Sequence, residues 1–197
     1  MVTIIYICLI IFAVFVVVEV IRRIIASKIT SELVGYLYEG KEKDFNALID
    51  SKKAKFYIFP YYRDSLKLSS AILKNDKREI ERIMKEYENV DLKSSQREAL
   101  FLQCFQYYVM KEDNTAATKY YNLIKENNQS GDHSELDITY DVFVKKGYEY
   151  LEYCLNRLDD LEGGEKRAYE SYIYQMYLNM GDKENSEIFY DRMSNQE

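Results

Sequence analysis

EALFLQCFQYYVMKEDNTAATKYYNLIKEN, residues 98–127, reads as a helix, a short polar turn and a second helix. Leu100, Gln103, Cys104, Tyr107 and Tyr108 follow the three- and four-residue spacing of one helix face. Lys111-Glu112-Asp113-Asn114 has the composition of a turn. Ala116, Tyr120, Leu123 and Ile124 then resume the helical period. YESYIYQMYLNMGDKENSEIFYDRM, residues 169–193, follows the same plan, with Met180-Gly181-Asp182 as its turn. There Tyr177 stands for Tyr107, Ser186 for Ala116, Tyr190 for Tyr120 and Met193 for Leu123.

The frame slides back along the chain. The residues opening the second helix of each pair are Phe45, Ile80, Ala116, Leu151 and Ser186, spaced by 35 or 36. One turn on, the column is Ile49, Met84, Tyr120, Leu155 and Tyr190. Late in the first helices stand Tyr36, Ala71, Tyr107, Val142 and Tyr177. The helices are expected to cross at Leu33, Leu68, Cys104, Thr139 and Tyr174. Most of these positions are apolar, as a stack of hairpins sharing one core requires.

In its period and in these columns the chain resembles the tetratricopeptide (TPR) family of helical repeats, whose period is about 34 residues. It departs from that family at the crossing point, where Gly or Ala is usual. The resemblance covers nearly all of residues 27–195. It implies an all-α fold: a right-handed α-solenoid of about five hairpins. It also implies that the first helices line a concave face on which a protein partner docks. Carried over repeat by repeat, that face would present Leu37 and Tyr38, then Ser65, Ser69 and Ile72. Phe101, Phe105 and Tyr108 would follow as an apolar centre, then Asp137, Asp141 and Lys145, and last Gln175 and Asn179. The Lys, Arg and Asn set with which chaperone-binding members clamp a carboxylate is missing, so chaperone-tail binding is not expected.

Composition agrees with a helical chain. Of 197 residues only seven are Gly and one is Pro, while twenty are Tyr. No stretch alternates in the manner of a strand after residue 26.

Val2 to Val18 is an uncharged, almost wholly apolar run of seventeen. A helix of that length reaches roughly 25 Å, and Val20 and Ile21 carry it toward the ~30 Å hydrocarbon core of a bilayer. No basic segment precedes it in the manner of a signal peptide. Residues 1–26 are therefore expected to be an uncleaved transmembrane anchor in contact with lipid over residues 2–21, and residues 27–197 the repeat domain. Arg22, Arg23 and Lys28 flank the run on its C-terminal side, which places that side in the cytoplasm by the positive-inside rule. Cys8, Cys104 and Cys154 form no disulfide pattern, in keeping with a reducing compartment. The opposite topology, an outward-facing receptor or assembly factor, is the alternative.

Charge is unevenly spread. Residues 41–88 hold twelve Lys/Arg against nine Asp/Glu, whereas residues 130–197 hold seven against sixteen. The distal acidity argues against nucleic-acid binding. The aromatic run Phe56-Tyr57-Ile58-Phe59-Pro60-Tyr61-Tyr62 fits packing between the first two repeats, with some rings at lipid headgroups as a second possibility.

Nothing in the sequence points to catalysis. His133 is the sole histidine and lies in a polar loop without nearby Cys or His. It makes neither a zinc site nor part of a triad. Gly163-Gly164 is a turn rather than a phosphate loop. Asn128-Gln129-Ser130 fits a glycosylation sequon, which a cytoplasmic domain would not use. No cofactor or metal is expected, and the function expected is binding of a protein partner by a membrane-anchored scaffold.

Overall fold

The computed structural model describes the backbone of residues 2–87, 90, 92–127 and 134–194, and the side chains from Phe12 onward over the same ranges. The fold is all-α, with no strand among the described residues. Packing divides the chain into two units, Met1–Val90 and Asp91–Glu197.

In the first unit α1 is a single helix, Val2–Tyr38. It meets no Pro or Gly before Gly35, so nothing interrupts its hydrogen-bond ladder. The domain boundary expected after residue 26 falls inside it. Next come α2 (Glu42–Ile49), α3 (Lys52–Tyr57), α4 (Pro60–Leu73) and α5 (Lys77–Tyr87). Pro60 opens α4, where a missing N–H costs nothing. Ser51 caps α3, its Oγ accepting from Ala54 N–H at 3.1 Å. Ile29 and Leu33 on α1 are buried with Phe45, Ile49, Ala54 and Ile58. In the adjoining hairpin Tyr87 donates to Asp64 at 2.7 Å, and burial followed by that carboxylate raises its phenol well above the usual range. Among the described residues no helix is long and apolar enough to cross a membrane. Residues 2–11 of the expected span lie outside those whose side chains are described.

In the second unit α6 (Ser94–Met110) pairs with α7 (Asn114–Asn127). α8 (Ser134–Thr139) continues into a π-helical turn, Tyr140–Val144, and is followed by α9 (Leu151–Arg157) and a 3-10 turn, Leu158–Asp160. α10 (Gly163–Met180) pairs with α11 (Lys183–Ser194). One core joins Ile138, Val142, Cys154, Tyr169, Ile173, Met176 and Phe189.

One turn geometry recurs at the end of each first helix. Gly40, Asn75, Glu112, Lys146 and Gly181 all have positive φ, between 53° and 78°. The next residue sends its N–H back across the helix end: Lys41 to Tyr36, Asp76 to Ala71, Asp113 to Tyr108 and Asp182 to Tyr177, at 2.9–3.0 Å. Three of these residues are aspartates whose Oδ1 caps the following helix. Asp76 accepts from Glu79, Asp113 from Ala116 and Asp182 from Asn185, at 3.1–3.2 Å. Such caps are worth about 1 kcal/mol each. They satisfy backbone donors that a helix start leaves open.

The sequence columns need one correction. Leu33, Leu68 and Cys104 are fully buried where crossing was expected, but in the last two hairpins the fully buried residues are Ile138 and Ile173. Thr139 and Tyr174 are only half-buried. In α11 the buried ring is Phe189, and Tyr190 is exposed. The register thus slips by one residue at the fourth hairpin, where the link from Cys104 to Ile138 is 34 residues rather than 35. That hairpin carries the π turn.

Candidate functional site

The second unit contains a cleft of about 990 Å³. α6 contributes Leu102, Gln106 and Val109, which lie at helical spacing on one face, with Met110 beside them. Thr139 and Phe143 come from α8 and the π turn, and Tyr169, Tyr172 and Gln175 from one face of α10. Phe143 and Tyr172 pack with their rings tilted by 59° and centroids 6.1 Å apart, and the Tyr172 hydroxyl lies 3.0 Å from Thr139 Oγ1. Burial raises the Tyr172 phenol, so it stays a neutral hydrogen-bonding group. Glu98, Glu112, Glu135 and Glu165 bring negative charge to the lining, against Lys146 and Arg157.

Of the residues expected on a concave face, Phe105 and Gln175 line this cleft. Phe105 is only 1% exposed and serves as packing. The expected apolar centre is largely core. Tyr108 is buried and stacks on Tyr120, 5.6 Å away and nearly parallel. Phe101 is half-buried and tilts on the same ring at 6.2 Å. Both turn toward α7. The face of α6 that opens to the cleft is one position round, at Leu102, Gln106 and Val109.

The expected polar contacts serve the fold. Asp137 accepts from the Tyr121 hydroxyl at 2.8 Å and from Lys125 Nζ at 3.0 Å. Burial and that carboxylate raise the Tyr121 phenol. Tyr121 also stacks on Tyr140, with centroids 3.9 Å apart. Asp141 is 2% exposed. Its Oδ2 accepts from Glu149 N–H at 3.1 Å, its backbone carbonyl accepts from Gly147 N–H at 2.8 Å, and Lys145 Nζ lies 3.5 Å from Oδ1. Asn179 Nδ2 donates to the carbonyls of Val142 and Gly147, and its Oδ1 accepts from Gln175 Nε2 at 3.0 Å. Together these groups fix the irregular turn after the π segment. Leu37 and Tyr38 belong to the first unit. Leu37 packs against its core, while Tyr38 is 87% exposed.

Among the described residues no three His, Cys, Asp or Glu side chains are placed to hold a metal ion. His133 and the Asn128-Gln129-Ser130 segment lie outside the described residues. Cys104 and Cys154 are buried free thiols, pushed up by burial to about 12 and about 11. At neutral pH neither is the thiolate a nucleophile requires.

No family model, curated relative or solved structure matches the chain. Its own geometry therefore carries the functional argument.

Proposed function

We propose that this chain is a membrane-tethered, TPR-like helical scaffold that binds a protein partner on the cytoplasmic side and performs no catalysis. The cleft of the second unit carries this proposal. It is formed by the first helices of three successive hairpins and combines apolar Leu102, Val109 and Met110 with hydrogen-bonding Gln106 and Gln175. A peptide segment anchors by such apolar contacts and is oriented by a few polar ones. The excess of glutamates over cations in the lining suits a partner with basic residues beside its apolar ones.

The recurring turn supports a repeat array: all five first helices end on a residue of positive φ, and four of them close with the same N–H bond to the residue five back, while in the fourth hairpin Gly147 reaches six back to Asp141. The tether is supported by α1, where Phe12, Phe15, Val18 and Ile21 are exposed on successive turns. Water-soluble surfaces rarely carry so continuous an apolar face. Arg22 and Arg23 just beyond it favour a cytoplasmic C-terminal side. Tethering would raise the local concentration of whatever the cleft binds.

Affinity capture of the full chain from detergent-solubilised membranes tests the cleft. Leu102→Asp with Met110→Asp puts charge at exposed cleft positions and should abolish recovery of the partner. Tyr190→Asp, exposed on α11, should leave it intact. Equal recovery with all variants would falsify the cleft as the docking surface.

A further inference from the structure

The stretch from the end of α3 through the first turn of α4 carries rings that the fold leaves outside. Ala54 and Ile58 are buried in the core shared with α1, and they hold the segment in place. Phe56, Phe59 and Tyr62 consequently point away from that core and are 76%, 56% and 54% exposed. The Phe59 ring lies under the Arg22 guanidinium, 4.7 Å from it.

That contact sets the depth of the Phe59 ring. Arg22 is four residues beyond Val18, the end of the apolar run, or about 6 Å along the helix axis. The headgroup layer on each side of a bilayer is about 5–8 Å thick. With Val18 at the edge of the hydrocarbon, Phe59 falls within the headgroup layer. A cleft of about 570 Å³ between α1 and these rings begins at this level, at Glu19, Arg22 and Arg23, and continues along α1 past it to Thr30.

Charge complements the location. α3 reads Lys-Lys-Ala-Lys-Phe-Tyr, contains no acid, and exposes all three lysines. Glu19, the acid in the cleft wall, is held by Arg22 at 2.8 Å and by Arg23 at 3.1 Å. Aromatic rings interleaved with cations are what a helix lying on an anionic leaflet presents.

We infer that Phe56, Phe59 and Tyr62 form an aromatic collar immersed in the headgroup layer, a second lipid contact that fixes the first unit against the bilayer. The collar rests on the anchor proposed above. Its partner is the anionic lipid surface, not a protein.

The chain has no Trp, so a single substitution supplies a unique probe. The full chain is reconstituted into vesicles of zwitterionic and anionic phospholipid bearing a quencher either near the headgroup or near the chain end. Phe12→Trp reports the anchor, Phe59→Trp the collar, and Tyr38→Trp, twenty residues beyond Val18, the solvent. The collar predicts blue-shifted Phe59→Trp emission that the shallow quencher removes and the deep quencher spares. Phe12→Trp should respond to the deep quencher, and Tyr38→Trp to neither. Phe56→Trp takes the place of Phe59→Trp if the latter fails to fold. Deep quenching at residue 12 with red, unquenched emission from the residue 56 and 59 probes overturns the collar alone. Unquenched emission from the residue 12, 56 and 59 probes overturns anchor and collar together.

Discussion

Asp141 and Gly147 close the fourth hairpin on each other: the Gly147 N–H donates to the Asp141 carbonyl at 2.8 Å, and the Asp141 carboxylate fills the space beside the Gly147 Cα. A Cβ at residue 147 would meet Asp141 Oδ1 at 2.5 Å and Oδ2 at 2.6 Å. Gly147→Ala must therefore displace a buried carboxylate from the Glu149 N–H. A loss of about 1–3 kcal/mol is expected for such a broken buried bond. Denaturant unfolding followed by helical circular dichroism checks this. In an Asp141→Ala background the same substitution should cost less, because the clashing group is gone. Equal costs in both backgrounds would contradict the pairing.

Asn179 holds the same turn from α10. Asn179→Leu removes both donors from the Val142 and Gly147 carbonyls, 2.9 Å away. Stability should fall by about 1–3 kcal/mol. Partner recovery, measured at a temperature where the variant remains folded, should be unchanged. Loss of recovery from a folded variant would return Asn179 to the binding surface.

Glu112 and Asp113 test the recurring turn. Glu112 has φ +53°, which Gly adopts without strain. Glu112→Gly relieves about 1–2 kcal/mol of left-handed strain against about 0.4–1 kcal/mol of added freedom in the unfolded chain, so stability should rise by up to about 1 kcal/mol. Asp113→Ala, which removes the cap on Ala116 N–H, should lower it by about 1 kcal/mol. Thermal unfolding of the two variants in parallel decides, and a destabilising Glu112→Gly would contradict the assigned geometry.

The pH profile follows from the shifted groups. Cys104 is raised from 9.0 to about 12 by burial. Below pH 9 the thiol is neutral in both folded and unfolded chains. Between 9 and about 12 only the unfolded chain loses the proton, so stability declines across that window. Cys154 acts in the same sense, up to about 11. At the acid end, Asp182 is held below 3.8 by the Asn185 side chain and backbone N–H. Its contribution is present above that value and is lost as pH falls through the lower, folded-state value. Cys104→Ala should flatten the first part of the alkaline decline. Thiol reagents at neutral pH should modify Cys104 and Cys154 only after unfolding.

Much of the fold was legible in the residues, and the cleft was not. A hairpin turn is a local event: Gly181-Asp182 and Glu112-Asp113 carry the turn chemistry in two adjacent residues, so their positions can be read directly. The apolar start of α1 was equally plain, whereas its run through the boundary expected after residue 26 follows from the absence of Pro or Gly before Gly35. Which face of α6 opens to the cleft depends on how α7 packs, and α6 is apolar on nearly every side. Phe101 and Leu102 are neighbours about 100° apart on that helix. Nothing local shows that the ring turns inward to Tyr120 while Leu102 faces the cleft. The roles of Asp137, Asp141 and Asn179 were hidden for a related reason. A polar residue on a first helix looks like a surface contact until its partners, tens of residues away in the case of Asn179, are known.

Topology separates a cytoplasmic scaffold from an outward-facing receptor. A reporter fused after Glu197 that is active only in the cytoplasm should be active, and one that requires export should be silent. The reverse pattern would place the cleft outside and identify Arg22 and Arg23 as an ineffective orientation signal.

Alkaline carbonate extraction of membranes carrying the full chain tests the tether itself most directly. Peripheral proteins are stripped by this wash, whereas a chain whose apolar helix is embedded stays with the lipid. The account predicts that the chain remains in the membrane pellet. Its recovery in the wash, with helical structure intact, would contradict the account.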